Sequence, residues 1–326
     1  MKVLLVHNNH IPVFAYGGTE RVIWDLAKAL VEMGHEVTFL VKKGSHCDFA
    51  KTLEIDEHET LMAQVARLDF DIAHFQFHID EEPDFPYVMT EHGNTKHPKA
   101  LPLNTVFVSQ DHARRYGSEC FVYNGLDWQA YGSPDLQQAR GPFHFLGHGA
   151  WRVKNLKGAI KVALAAKAEL SVLGGDRFNF RRGVRLTFSP RIHFHGMVGG
   201  EEKLRLLQAS QGLIFPVRWH EPFGLAVIES LYMGCPVFAT PYGALPELVS
   251  PDCGVLAPTD QALVNALHQP LPDREACHLR AKTRFNHRQM GQGYVALYQQ
   301  VLSGHRLNAQ QPLLPGNGHA LMDWSM

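Results

Sequence analysis

Long apolar runs are missing from this chain of 326 residues. Runs such as Val3–Val6 and Thr38–Val41 fall far short of the roughly 20 residues that cross a bilayer. Cysteine is scarce. Cys47, Cys120, Cys235, Cys253 and Cys277 are odd in number and no pair has CxxC spacing, which excludes a secreted disulfide scaffold and points to free thiols in a reducing cytoplasm. No G-x-G-x-x-G follows a strand-like run, so the dinucleotide fingerprint of a dehydrogenase is absent. Net charge is only −1, so there is no global basic field and no nucleic-acid partner is expected. Met1-Lys2 leads straight into a strand-like segment with no apolar leader core, and a cytoplasmic location is expected.

What is present is ordinary globular material. Apolar residues make up 45% and charged residues 19%, and a chain of this length supports about two domains. The near-zero charge conceals an asymmetry. Residues 1–138 hold 11 basic and 20 acidic residues, a balance of −9, whereas residues 139–326 hold 20 basic and 12 acidic, a balance of +8. The positive half suits a phosphate-bearing ligand. The negative half repels anionic lipid, so no stable membrane binding is expected.

The chain alternates strand and helix. Lys2–His7 reads as a buried strand. Tyr16-Gly17-Gly18-Thr19 follows as a glycine-rich turn, and Val22, Leu26, Ala29, Leu30 and Met33 recur at helical spacing. Further strands are expected at Glu36–Val41, Asp71–Phe75, Tyr87–Thr90, Thr105–Val108 and Cys120–Tyr123. A polar stretch, Tyr131–Gly141, reads as a linker. Beyond it the alternation resumes with strands at Phe143–Leu146, Leu170–Leu173, Arg191–His195, Gly212–Pro216 and Pro236–Ala239, ending in a helix at Gln289–Leu302 and a loosely ordered tail from Asn308. Two such series make two doubly wound parallel sheets, the first over 1–135, the second over 136–288, with 289–326 as a crossover helix and tail. Ligands of such sheets bind at the carboxyl ends of the strands, and the cleft between two such domains is the default site.

Four segments carry chemistry. His220-Glu221-Pro222-Phe223-Gly224-Leu225 precedes a helix that also holds Glu229. A helix N-terminus can hold phosphate, Gly224 permits close approach, and two carboxylates can accept from paired sugar hydroxyls. Trp151-Arg152-Val153-Lys154-Asn155-Leu156-Lys157 opens another helix. Arg152 and Lys157 there oppose the helix dipole, as cations do when they have an anion to hold. Gly17-Gly18-Thr19 resembles a phosphate cradle. Thr90-Glu91-His92-Gly93 puts His92 at a strand's carboxyl end. His74, His78, His144, His193 and His195 read as structural, and no metal site is expected because His193 and His195 lack a third ligand at suitable spacing.

Together these residues make the chain resemble the retaining GT-B glycosyltransferases of glycosyltransferase family four, over residues 1 to about 302. The most specific element is Glu221-Pro-Phe-Gly-Leu…Glu229, matching the family's Glu-x(7)-Glu motif; Gly17-Gly18-Thr19-Glu20-Arg21-Val22, Asn124-Gly125-Leu126-Asp127, Lys157-Gly158 and Phe194–Val198 support it. The resemblance implies a fold of two Rossmann-like domains and a hexosyl transfer from a nucleoside diphosphate sugar, UDP-glucose-like or next GDP-mannose, to a hydroxyl acceptor with retention. It implies that Glu229 holds ribose hydroxyls and Glu221 the donor hexose. Phe223, Gly224 and Leu225 would meet sugar and phosphate, and Met197-Val198 the base. Gly17 and Gly18 would approach the diphosphate from the first domain, Arg152 and Lys157 would clamp it, and His92 would stand beside the reacting centre. The family usually has Gly-Arg after the strand; here His148 follows Gly147, so either Arg152 or His148 fills that place. No cofactor beyond the donor is implied, since cations and helix N-termini stabilise the leaving diphosphate. A GT-B phosphorylase and a catalytically silent sugar-nucleotide binder are the alternatives.

Overall fold

The computed structural model describes residues 1–12, 17–179 and 185–324. Tyr16 of the first glycine-rich turn therefore lies outside the described residues. The chain divides into two compact units. One comprises residues 1–12 and Gly17–Asp127 together with Phe285–Gly318; the other comprises Trp128–Arg284 and residues 319–324.

In the first unit, strands β1 (Lys2–Val6), β2 (Glu36–Val41), β3 (Lys51–Glu54), β4 (Ile72–Phe75), β5 (Tyr87–Glu91) and β6 (Thr105–Phe107) alternate with helices α1 (Gly18–Glu32), α2 (Leu61–Ala66) and α3 (Gln110–Arg115). They form one parallel sheet in the order β3-β2-β1-β4-β5-β6. The central strands are buried on both faces: Leu4, Val6, Phe75, Met89 and Phe107 enter one core, and Val3, Leu5, Ile72, Val88 and Val106 are buried on the other side, as parallel sheets covered on both sides require. α1 buries Val22, Ile23, Leu26, Ala27, Ala29 and Leu30, the stripe that its helical period predicts.

The second unit repeats the plan with β7 (Phe143–Leu146), α4 (Leu156–Ala165), β8 (Leu170–Leu173), a short antiparallel pair β9 (Phe178–Asn179) and β10 (Arg185–Leu186), β11 (Ile192–Phe194), α5 (Gly200–Gln208), β12 (Leu213–Phe215), α6 (Leu225–Tyr232), β13 (Val237–Ala239), α7 (Leu245–Leu248), β14 (Gly254–Leu256), α8 (Asp260–Leu267) and α9 (Arg274–Arg284). Its six-stranded parallel sheet runs β11-β8-β7-β12-β13-β14. The architecture is thus α/β, with two doubly wound Rossmann-like sheets.

The last helix, α10 (His287–Leu302), belongs to the first unit. Its Tyr294 and Tyr298 are buried and meet a polar chain inside the sheet. His74 Nδ1 lies 2.7 Å from the Tyr298 hydroxyl, His74 Nε2 lies 2.7 Å from Thr90 Oγ1, and Thr90 Oγ1 lies 2.9 Å from the Tyr294 hydroxyl. Each buried polar group is satisfied by the next.

Several sequence expectations need correction. Cys120–Tyr123 makes only an isolated bridge, Phe107 to Phe121. Strand β3 was not expected, because its burial is only partial. Helix α9 was not expected, because it buries only the small side chains Cys277 and Ala281. The tail is packed rather than loose. Leu314 enters the first unit's core, the Leu313 N–H donates to the Tyr116 carbonyl at 2.9 Å, and the Met322 N–H donates to the Arg218 carbonyl at 2.7 Å. Backbone pairing of this kind leaves no hydrophobic period to read. Residues 131–141, read as a linker, fold onto the second unit: Arg140 donates to the carbonyls of Ser210 and Met233, each at 2.9 Å.

Candidate active site

The order of the second sheet reverses between β7 and β12, which opens a crevice at their carboxyl ends. The two loops that leave these strands are stitched together. Asn155 Nδ2 donates to the Pro216 carbonyl at 2.9 Å, and the Arg218 N–H donates to the Val153 carbonyl at 2.7 Å. One charge from each loop meets there. Lys154 Nζ donates to both carboxylate oxygens of Glu221, at 2.8 and 2.7 Å, and Trp219 Nε1 donates to Oε2 at 2.7 Å. Lys154 also lies over the rings of Phe215 and Trp219, at 5.3 and 5.1 Å. Glu221 is 5% exposed. Removing either partner would leave a buried charge uncompensated, at a cost of about 3–5 kcal/mol.

Glycine shapes this corner twice. Gly224 has φ +110° and begins α6 with no side-chain cap. Its positive φ turns the chain sharply, and the helix N-terminus behind it is left open to an anion. Phe223 is buried and Leu225 is half-buried beside it. Gly243 has φ +66°, and a Cβ there would come within 2.3 Å of the Glu221 main chain. That closeness lets the Ala244 N–H donate to the Glu221 carbonyl at 2.9 Å.

Glu229 lies on α6 and is 2% exposed. Lys203 of α5 reaches its Oε1 at 2.5 Å, and the Tyr131 hydroxyl donates to the same oxygen. The neighbouring Ser230 Oγ lies 2.8 Å from His144 Nε2. Burial pushes the His144 pKa down to about 3, so this histidine is a neutral core residue.

Of the other expected residues, Arg152 and Lys157 are exposed. Lys157 is the second residue of α4, whose N-terminus Asn155 caps by accepting from the Gly158 N–H at 3.1 Å. Lys157 lines a cavity of about 320 Å³ with Ile160, Leu164, Leu186 and Phe188. His148 stacks on Trp151, with ring centroids 5.5 Å apart. Met197 and Val198 lie in the loop between β11 and α5, Met197 being exposed. Sequence reasoning missed Lys203 and Tyr131, which meet Glu229, and Lys154, which meets Glu221. The signal for Lys154 was its place between Arg152 and Lys157 before the same helix, but nothing in that spacing singles it out as the partner of Glu221.

The first sheet reverses order between β1 and β4, and three polar residues follow adjacent strands there: His7 after β1, Gln76 after β4, His92 after β5. His92 Nε2 lies 2.9 Å from Gln76 Oε1. Burial pushes the His92 pKa down to about 3, so the ring is neutral. Donating Nε2–H to the amide oxygen leaves Nδ1 as an acceptor. The loop behind it is held by His112 Nε2, 2.9 Å from the Gly93 carbonyl, and by the Gly93 N–H, which donates to Glu91 Oε1 at 3.1 Å. Burial raises the Glu91 pKa to about 7. Gly17 precedes and Gly18 opens α1, whose Glu20 lies 3.7 Å from His7 Nε2.

Among the described residues no group of three His, Cys, Asp or Glu side chains could hold a metal ion. Among the described residues no helix is long and apolar enough to cross a membrane.

Residues 143–273, which carry both glutamates and Arg152, Lys154, Lys157 and Lys203, match the family described as Glycosyl transferases group 1. The chain carries a group 1 glycosyltransferase domain. This glycosyltransferase is 24% identical to O-antigen chain mannosyltransferase C of Escherichia coli, over 93% of this chain and 99% of that protein. Its fold is that of AviGT4, a glycosyltransferase involved in avilamycin A biosynthesis, with TM-score 0.77 and 21% identity over 93% of this chain and 98% of that one. It is also similar to Anabaena HepE, solved in complex with UDP and glucose, with TM-score 0.62 and 15% identity over 92% of this chain and 99% of that one. The GT-B architecture is thereby established.

Proposed function

We propose that this glycosyltransferase moves a hexose from a nucleoside diphosphate sugar to a hydroxyl of a sugar or glycan acceptor, with retention of configuration and release of the nucleoside diphosphate. The observation that carries the reading is the pair Glu221 and Glu229 on either side of the uncapped start of α6. A carboxylate before the helix meets hexose hydroxyls, the helix N-terminus meets phosphate, and a carboxylate within the helix meets ribose. The mannosyltransferase relative and the UDP and glucose held by HepE support a hexosyl donor. UDP-glucose is the first donor to test and GDP-mannose the second.

Charge governs the mechanism. The leaving diphosphate gains negative charge in the transition state, and Lys154, Arg152 and Lys157 are the cations close in sequence to meet it, with the α6 N-terminus as a fixed dipole. Both oxygens of Glu221 are already engaged by Lys154. That suits a hydrogen-bond acceptor for the hexose better than a nucleophile that must attack carbon. It favours a front-face reaction in which the leaving phosphate takes the acceptor's proton. His92, neutral and with Nδ1 as an acceptor, fits a contact to a sugar hydroxyl. The acidic first half favours a soluble acceptor, or a membrane one reached only transiently.

The experiment is a thermal-shift panel of UDP, GDP, ADP and their sugar conjugates, without metal and then with Mg²⁺. A selective rise for one base, about 2.7 kcal/mol of linkage at a hundredfold excess over Kd, is expected without metal. A rise only with inorganic phosphate and sugar phosphates overturns the reading in favour of a phosphorylase.

A further inference from the structure

Lys203 takes no part in the reading above, yet it is only 8% exposed. A lysine this buried is rare unless paired. Its partner is Glu229, at 2.5 Å. Lys203 also stands over the Tyr131 ring, 5.3 Å from its centroid, and the Tyr131 hydroxyl donates to the oxygen that Lys203 holds. Tyr131 is itself fixed edge-on to Trp128 at 5.1 Å, and Trp128 stacks flat on Tyr232 of α6 at 4.2 Å. Two donors from separate elements, α5 and the turn at 128–131, thus converge on one oxygen of one carboxylate.

We propose that Lys203, with Tyr131, is a positioning residue that fixes the Glu229 carboxylate for a ribose diol and so makes the site discriminate ribonucleotides from deoxyribonucleotides. The inference rests on the reading of Glu229 as the ribose ligand. A buried carboxylate on an apolar helix needs its charge offset, and Lys203 supplies the offset. A vicinal diol recognises a carboxylate by geometry as much as by charge, because both hydroxyls must donate at once. Pinning Oε1 from two sides removes the free rotation of the Glu229 side chain that would otherwise have to be lost on binding. A site that has lost this pinning keeps its phosphate contacts but loses its preference for the second hydroxyl.

The test is calorimetric titration of the full-length protein with UDP and 2′-deoxy-UDP, and with GDP and 2′-deoxy-GDP. The wild type is expected to prefer the ribo form of its base about tenfold or more. Lys203→Met is expected to bring that ratio close to one while changing affinity for the deoxy form little, and Lys203→Arg to restore most of it. Tyr131→Phe is expected to fall between. A Lys203→Met variant that keeps the wild-type ratio, or loses both nucleotides equally, overturns the proposal and leaves the sugar-nucleotide reading standing. Should Lys203→Met fail to fold, the uncharged double variant Lys203→Met/Glu229→Gln is compared with Glu229→Gln alone. Equal ratios are expected, because Lys203 acts through Glu229; a further fall in the double variant overturns the proposal by making Lys203 a direct nucleotide contact. A wild type that binds no nucleoside diphosphate overturns both.

Discussion

Lys154 and Glu221 join the two loops at the reversal point of the second sheet, the ammonium bridging both carboxylate oxygens at 2.7–2.8 Å. The lysine follows β7 and the glutamate follows β12, so neighbouring strands bring together residues far apart in the chain. The pair holds the Glu221 carboxylate in a single orientation and keeps a cation beside it.

Lys154→Met is therefore expected to lower turnover about a hundredfold and to destabilise the fold by about 3 kcal/mol, since Glu221 is left buried and unpaired. Lys157→Met, at an exposed position, is expected to change stability by no more than about 0.5 kcal/mol and turnover less than Lys154→Met does. Lys154→Met/Glu221→Gln is expected to recover stability without recovering activity. Urea unfolding and turnover at saturating donor check all three. A larger loss of nucleotide affinity from Lys157→Met would return the diphosphate clamp to the residue that the family resemblance implied.

Gln76 sets the tautomer of His92 through the 2.9 Å contact at Nε2. Gln76→Leu is expected to lower kcat about tenfold with donor KM little changed, because the ring loses its orientation and its fixed acceptor nitrogen. Nitrogen-15 spectra should show His92 protonated at Nε2 in the wild type and a mixture of tautomers in the variant. Finding Nδ1 protonated in the wild type would refute the assignment.

Acid should destabilise the protein through its buried histidines. Burial lowers the pKa of His92, His112 and His144 to about 3, against about 6.5 in the unfolded chain. Their contribution is fully present above pH 6.5 and is lost as pH falls from there toward 3, because the unfolded state takes up the protons. Asp25 and Glu91 act oppositely. Burial raises both to about 7, so their contribution is present below pH 4 and lost as pH rises toward 7. Three histidines outweigh two carboxyls between pH 6 and 5, and stability is expected to fall by about 1 kcal/mol across that unit. Urea midpoints at pH 7.5, 6 and 5 measure it; a midpoint that rises on acidification would show that these rings are charged in the fold.

The sequence alone determined the alternation of strand and helix, because strands buried on both faces are continuous apolar runs and the helices between them keep a 3.6-residue stripe. Val3–Val6 and the Val22–Leu30 stripe are of this kind. It also marked Glu221, just before α6, and Glu229, whose charge stands out on that otherwise apolar helix. It could not mark α9, whose buried side are the small residues Cys277 and Ala281, nor the tail, which is held by main-chain bonds that carry no side-chain pattern. Nor could it choose Lys154 over Arg152 and Lys157, or show that Lys203 and Tyr131 close on Glu229. Those pairings depend on which strand ends and helix faces lie side by side. Residue spacing fixes what one element presents, but only tertiary packing fixes what faces it.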